Sequence, residues 1–197
     1  KIYNKYKCHG RGFYWYMWKP YIIYKTLNKM NNGDILFYCD SGMSIKNNDS
    51  TIKLFNNLFQ LVRKSNKCPT GIATFITTGE RKNRLEYMYN LKQVFRHFNV
   101  EKKKYITHTQ QCQAGVITIL KCKKSMDIIK SWVDLTISNP EYFIGDYRFS
   151  NLIKEPQIYG FRDHRHDQSV WSILCKINNV NILKHNLNPI HQTHYRE

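Results

Sequence analysis

The residues of this chain best equipped for chemistry are His164-Arg165-His166-Asp167-Gln168-Ser169, which place imidazoles, a guanidinium, a carboxylate and an amide at the start of an apolar helical stretch. Such a group can bind phosphate, ligate a divalent metal or orient an acceptor hydroxyl. The H-x-H spacing alone is a poor metal signature, because a metal site needs further ligands at defined spacing. The plain structural reading makes Asp167 a helix N-cap beside solvated histidines; the crowding of so many functional groups favours a site. Three other segments carry weaker signals. Asp40-Ser41-Gly42 follows an apolar run, so its carboxylate stands at the carboxyl end of a strand, where α/β proteins bind ligands. Taken alone, those three residues are an ordinary turn. Trp18-Lys19-Pro20 puts a lysine at a helix start, where free N–H groups and the helix dipole already favour an anion such as a diphosphate. A surface lysine is an equally good reading of that position. Gln111-Cys112-Gln113-Ala114-Gly115-Val116 offers amides for hydroxyls and a small-residue backbone that a sugar ring could approach, though a polar loop before a strand needs no function.

The elements that must position these groups are legible from periodicity. Ile35–Cys39, after the turn signal Asn32-Gly33-Asp34, is a short apolar run expected to form a strand buried on both faces. Ile72–Thr77 and Val116–Leu120 are β-branched and predict further strands, and Asn181–Lys184 a peripheral one. Between them the pattern predicts helices over Pro20 to about Met30, Ile52–Arg63, Arg84–Phe98, Ser125–Ile137 and Gln168–Lys176. The aromatics and methionine of Gly10–Pro20 are mostly core material. Strands alternating with helices imply an α/β sandwich in a single domain over residues 1–197.

At 42% hydrophobic and 23% charged residues the chain is a folding sequence, and no apolar run is long enough to span a bilayer. The net charge of +17 points to an anionic partner without choosing one. The excess is mostly lysine in a chain also rich in Asn, Ile and Tyr, residues that share A/T-rich codons, and clusters such as Lys102-Lys103-Lys104 and Lys121–Lys124 are more often solvated faces than contacts. The six cysteines, Cys8, Cys39, Cys68, Cys112, Cys122 and Cys175, are scattered without a C-x-x-C pair, which favours a reducing cytoplasmic setting; Cys39 and Cys175 fall in apolar runs where a buried thiol packs well.

Taken in order, RGFYWYMWKP, GDILFYCDSG, QAGVI and HRHDQSVWSIL, spanning about Gly10 to Leu174, resemble a group of GT-A glycosyltransferases found in capsular, lipopolysaccharide and giant-virus gene sets. The resemblance implies a GT-A (Rossmann-like) α/β fold, a mixed sheet flanked by helices. It also implies a nucleotide-diphosphate sugar as donor and a glycan or other hydroxyl compound as acceptor. The fold's first, base-clasping strand would precede Gly10, so an N-terminal truncation is expected. Asp40 matches the first Asp of the D-x-D motif that binds ribose and a Mn²⁺ or Mg²⁺ ion, whereas Gly42 stands at the second. Trp18, Lys19, Asp40, Ser41 and Gly42 are then donor-binding residues. Gln113, Ala114 and Gly115 resemble the segment that contacts the donor sugar. Asp167 and Gln168 resemble the D-Q pair beside the transferring carbon, with Asp167 holding hydroxyls or acting as base and Gln168 near the donor's β face. His166 would supplement Asp40 at the metal, with His191 or His194 as further candidates. Competing readings are a basic nucleic-acid-binding protein, with Tyr14, Tyr16 and Tyr21 exposed among lysines, and an inactive GT-A fold kept as an interaction module.

Overall fold

The computed structural model of the chain describes residues 11–77, 84–184 and 190–192. Cys8, Gly10 and His194 lie outside the described residues, as does the side chain of His191. In chain order the elements are α1 (Trp18–Lys29), β1 (Ile35–Cys39), β2 (Met43–Ile45), α2 (Asp49–Arg63), β3 (Ile72–Ile76), α3 (Glu86–Tyr89), α4 (Lys92–His97), α5 (Lys104–Thr107), β4 (Cys112–Leu120), α6 (Lys123–Ser138), α7 (Asp167–Ile177), β5 (Asn181–Leu183) and β6 (Ile190–Gln192).

A four-stranded mixed sheet in the order β1-β4-β3-β5 forms the frame. Strand β4 runs antiparallel to both β1 and β3, and β5 runs parallel to β3. The alternation of β3 explains why helices cover both faces: Ile72 packs toward α1, α6 and α7, while Ala73 and Phe75 pack toward Leu58 and Val62 of α2. Trp132 of α6 stacks on Trp171 of α7 with ring centroids 4.6 Å apart, joining these helices over the first face. Strands β2 and β6 pair separately as a two-stranded antiparallel ribbon. No described helix is long and apolar enough to cross a membrane.

The structure departs from the periodicity in instructive places. Strand β1, expected to be buried on both faces, is an edge strand paired only with β4 and half-buried along its whole length. The central position belongs to β4, which begins four residues earlier than its β-branched core implies, so the Gln113–Gly115 segment lies inside the strand. The single helix expected over Arg84–Phe98 is broken into α3 and α4 at Asn90, whose backbone is extended. The break is fixed from outside the segment: Asn90 Nδ2 donates to Ser169 O at 2.9 Å, and Leu91 N–H donates to His164 Nδ1 at 3.3 Å. Helix α1 starts two residues before Pro20, which is tolerated because the first-turn N–H groups have no intrahelical acceptor. Helix α7 starts at Asp167 itself with His166 as its N-cap residue, so Asp167 is not the cap, and its side chain is free for another role. Cys175 is buried as its apolar surroundings imply, Cys39 only half so, and the five described cysteines are free thiols.

Candidate active site

Antiparallel pairing carries the end of β1 to the start of β4, where Cys39 faces Val116 and Asp40 N–H donates to Gly115 O at 2.9 Å. The carboxylate of Asp40 therefore lies over Gly115, and a Cβ there would stand 2.9 Å from Asp40 Oδ2. Beside this point the β3–β4 register shifts, with Thr74 opposite Ile117 but Ile76 opposite Cys112. The extra residues of β4 bulge at Gln113–Val116, held by Thr74 Oγ1 donating to Gln113 O at 2.9 Å and Val116 O at 3.1 Å. Bulges re-aim groups near sites. Here Ala114 O accepts a hydrogen bond from Lys19 Nζ at 3.3 Å.

Lys19 comes from the first turn of α1, 2% exposed. Its ammonium sits 2.6 Å from Asp167 Oδ2 and 3.1 Å from Asp40 Oδ1. The Asp167 contact is close but not aligned as a hydrogen bond, so Oδ2 is held by charge. Burial alone would lower the Lys19 pKa, but the attraction of Asp167 and then Asp40 outweighs it and the pKa is raised, so the lysine stays charged. Asp167 is pushed up to about 6, because its burial outweighs the attraction of Lys19. Tyr38 donates to Asp40 Oδ1 at 2.8 Å; burial, and then the neighbouring Asp40 charge, push its phenol far above the ordinary tyrosine range.

The approach to α1 is strained. Gly12 through Tyr16 all have positive φ, between 51° and 62°, a left-handed turn that costs roughly 1–2 kcal/mol for each residue bearing a Cβ. The Tyr16 ring lies where a Cβ on Gly12 would be, and Trp18 Nε1 donates to Gly12 O at 3.0 Å. The turn buries Tyr14, Trp15 and Met17 and brings Tyr16 to within 5.2 Å of the Lys19 ammonium, while Phe13 is exposed. His166, at φ +53°, is strained as well, and it sets the angle at which α7 presents Asp167.

Tyr16, Lys19, Asp40, Arg84, Ala114, Gly115, Arg165, His166, Asp167 and Gln168 line one cavity of about 130 Å³. It adjoins a second of about 500 Å³ through Tyr16 and Asp40, where Trp18, Ser41 and Gly42 are found. The larger one is within the ~300–1,000 Å³ of small-molecule sites. An apolar groove elsewhere, between Met17, Trp18, Tyr21, Val133 and Ile137, has no charged groups in its lining. Gln168 Nε2 donates to Gln111 Oε1 at 3.0 Å, and Gln111 Nε2 donates in turn to Glu86 Oε2 at 3.2 Å and Tyr89 O at 3.1 Å. Glu86 is fully buried and paired with Lys176 at 2.5 Å. This chain of bonds fixes the Gln168 amide with its nitrogen turned to Gln111.

Of the residues singled out by sequence, Lys19, Asp40, Ala114, Gly115, His166, Asp167 and Gln168 meet in one cavity, and Trp18, Ser41 and Gly42 in its neighbour. Gln113 does not join them: its Nε2 donates to Ile76 O at 3.1 Å, so it tethers the bulge. Lys19 is not the open anion-binding lysine its position implied, since two carboxylates already balance it. His164 is buried and neutral, its Nδ1 accepting from Leu91 and its Nε2 facing Tyr142 O at 2.8 Å; burial, then the neighbouring His166, lower its pKa to about 3. The H-x-H pair is thus no chelate. Arg165, whose guanidinium belongs to the cluster that the sequence singled out, is also on the cavity wall, whereas sequence reasoning missed Arg84 and Tyr16 as cavity residues.

The implied Mn²⁺ or Mg²⁺ can be tested against these donors. Among the described residues no group of three or more His, Cys, Asp or Glu side chains is arranged to hold a metal ion. Asp40 and Asp167 converge on the Lys19 nitrogen, and His166 Nδ1 is turned to the backbone of Phe143 and Gly145. The donor set fits a protein-borne ammonium, not a metal. No family model matches the chain, and no similar curated protein or solved structure was found.

Proposed function

We propose that this chain is a GT-A-type glycosyltransferase that moves a sugar from a nucleotide-diphosphate donor to a hydroxyl acceptor. The observation that carries the reading is convergence: Asp40 after β1, Ala114–Gly115 in β4 and Asp167–Gln168 opening α7, the segments that resemble the family, share one cavity although they are far apart in sequence. In this reading the larger cavity takes the nucleoside and the smaller one the reacting sugar. The bond between the anomeric carbon and the phosphate oxygen breaks, and its electron pair leaves with the nucleoside diphosphate. Arg84 and Arg165 favour that negative charge. The acceptor oxygen bonds to the anomeric carbon and its proton passes to Asp167, whose pKa near 6 suits a base at neutral pH. Gln168, its nitrogen engaged by Gln111, turns its oxygen toward the electron-poor carbon.

The nucleic-acid alternative is met only in part: of the three tyrosines it needs exposed, Tyr21 is exposed, Tyr16 half-buried and Tyr14 buried. Thermal shift against a panel of nucleoside diphosphate sugars tests the proposal. Donor at a hundred times its Kd should raise Tm by roughly 5–10 °C. Release of nucleoside diphosphate with an acceptor then separates an enzyme from an inactive binding fold. No shift with any donor would overturn the reading.

Gly115→Ala gives a sharper check. The backbone accepts alanine there, but its Cβ would meet Asp40 Oδ2 at 2.9 Å and Met43 Cε at 3.0 Å, and the carboxylate must move. Donor affinity should fall by about tenfold, ~1.4 kcal/mol, with Tm of the free protein little changed. Unaltered donor affinity would remove Asp40 from the site.

A further inference from the structure

A cation held between carboxylates needs oxygen ligands around one point. That arrangement exists here, with the chain's own nitrogen at its centre. Lys19 Nζ lies 2.6 Å from Asp167, 3.1 Å from Asp40 and 3.3 Å from Ala114 O. Three oxygens surround this ammonium, Ala114 O by a hydrogen bond and the two carboxylates by charge. The rings of Tyr16 and Tyr38 stand 5.2 and 5.7 Å from the nitrogen, giving the slot aromatic walls that also favour a cation. Every contributing segment is specialised for it: a left-handed turn for Tyr16, a bulge for Ala114, a strained N-cap residue for Asp167.

We propose that Lys19 is the resident cation of this pocket, and that the donor diphosphate is bound without a divalent metal. The lysine offsets one of the two negative charges of Asp40 and Asp167 that would otherwise repel a diphosphate. Arg84 and Arg165, on the wall of the same cavity, carry the direct contacts. A divalent ion entering the slot would have to expel a buried ammonium from three oxygens. The identity of the ligand rests on the glycosyltransferase reading; the occupancy of the slot does not.

Mn²⁺ titration followed by electron paramagnetic resonance tests the slot directly. The wild-type chain should show no saturable Mn²⁺ binding at millimolar concentrations. Lys19→Met should vacate the slot and gain a Mn²⁺ site, with Tm rising on Mn²⁺ addition, and Lys19→Met combined with Asp40→Asn should lose it. Saturable Mn²⁺ binding by the wild type that Asp40→Asn abolishes would overturn the proposal, whether or not the Lys19 variant folds. For the donor, Kd measured in EDTA and in Mn²⁺ should agree within about twofold, under ~0.4 kcal/mol; a donor that binds only with Mn²⁺ overturns the proposal too. If no donor binds in either buffer, the glycosyltransferase reading falls, and the Mn²⁺ titration still decides the slot.

Discussion

Asp167→Asn is expected to lower kcat by roughly 10²–10⁴-fold, the contribution of a positioned general base, with little net change in stability. The two halves of this expectation come from one feature. A folded-state pKa of about 6, against 3.8 for a free side chain, means that the ionised carboxylate is disfavoured in the fold. The difference corresponds to about 3 kcal/mol. Asparagine is close in shape to the neutral acid, so it escapes that penalty, but the buried Lys19 ammonium loses its nearest counter-charge and keeps only Asp40 at 3.1 Å, an opposing cost. Turnover and urea denaturation above about pH 7 check the pair of results together. Unchanged kcat in a folded variant would reject the assigned role.

The second large effect is acid unfolding driven by His164. Its imidazole is buried and neutral with a pKa near 3, while the unfolded chain takes up the proton around 6.5. Between those values the unfolded state binds more protons than the folded one, so stability falls as pH falls through that window. The loss amounts to about 5 kcal/mol by pH 3. Asp167 works in the opposite direction: its raised pKa makes the folded state the better proton acceptor between about 6 and 3.8, returning up to about 3 kcal/mol. His164 wins. Urea denaturation across the acid range should show a net decline, and it should steepen in Asp167→Asn, where the opposing group is gone. His164→Asn should turn the decline into a rise between about pH 6 and 3.8, where Asp167 then acts unopposed. A wild type whose stability rises steadily toward pH 4 (about the window set by linkage) would mean that His164 is protonated in the fold.

How far the sequence foretold this follows from where each residue's partners lie. Helices α2 and α6 were legible because their apolar faces repeat within the segment, and β3 because its β-branched run is its own signal. Asp40 and Asp167 were found by type and position. That they converge on one lysine was not, because β1–β4 pairing and the docking of α1 are long-range facts. Lys19 was misjudged for the same reason: a lysine at a helix start looks open when the two carboxylates are out of local view. The interruption at Asn90 could not be read from Arg84–Phe98, since the groups that hold it open, Ser169 and His164, belong to another part of the chain. His164 shows the converse error, a histidine whose neighbours in sequence promised chemistry and whose neighbours in space use both ring nitrogens.

The antiparallel ladder of β1 and β4 also sets rules for how the gene can change length. Side chains alternate faces along a strand, so a single codon added within Ile35–Cys39 would turn Asp40 away from Gly115 and dismantle the cavity at one stroke. The segment between Ile45 and Asp49 bears no such phase and is exposed throughout, so additions there leave the ladder untouched. Length variation among functional versions of this chain should therefore collect in that connection and be purged from the ladder, a pattern that a library of single-codon insertions would display.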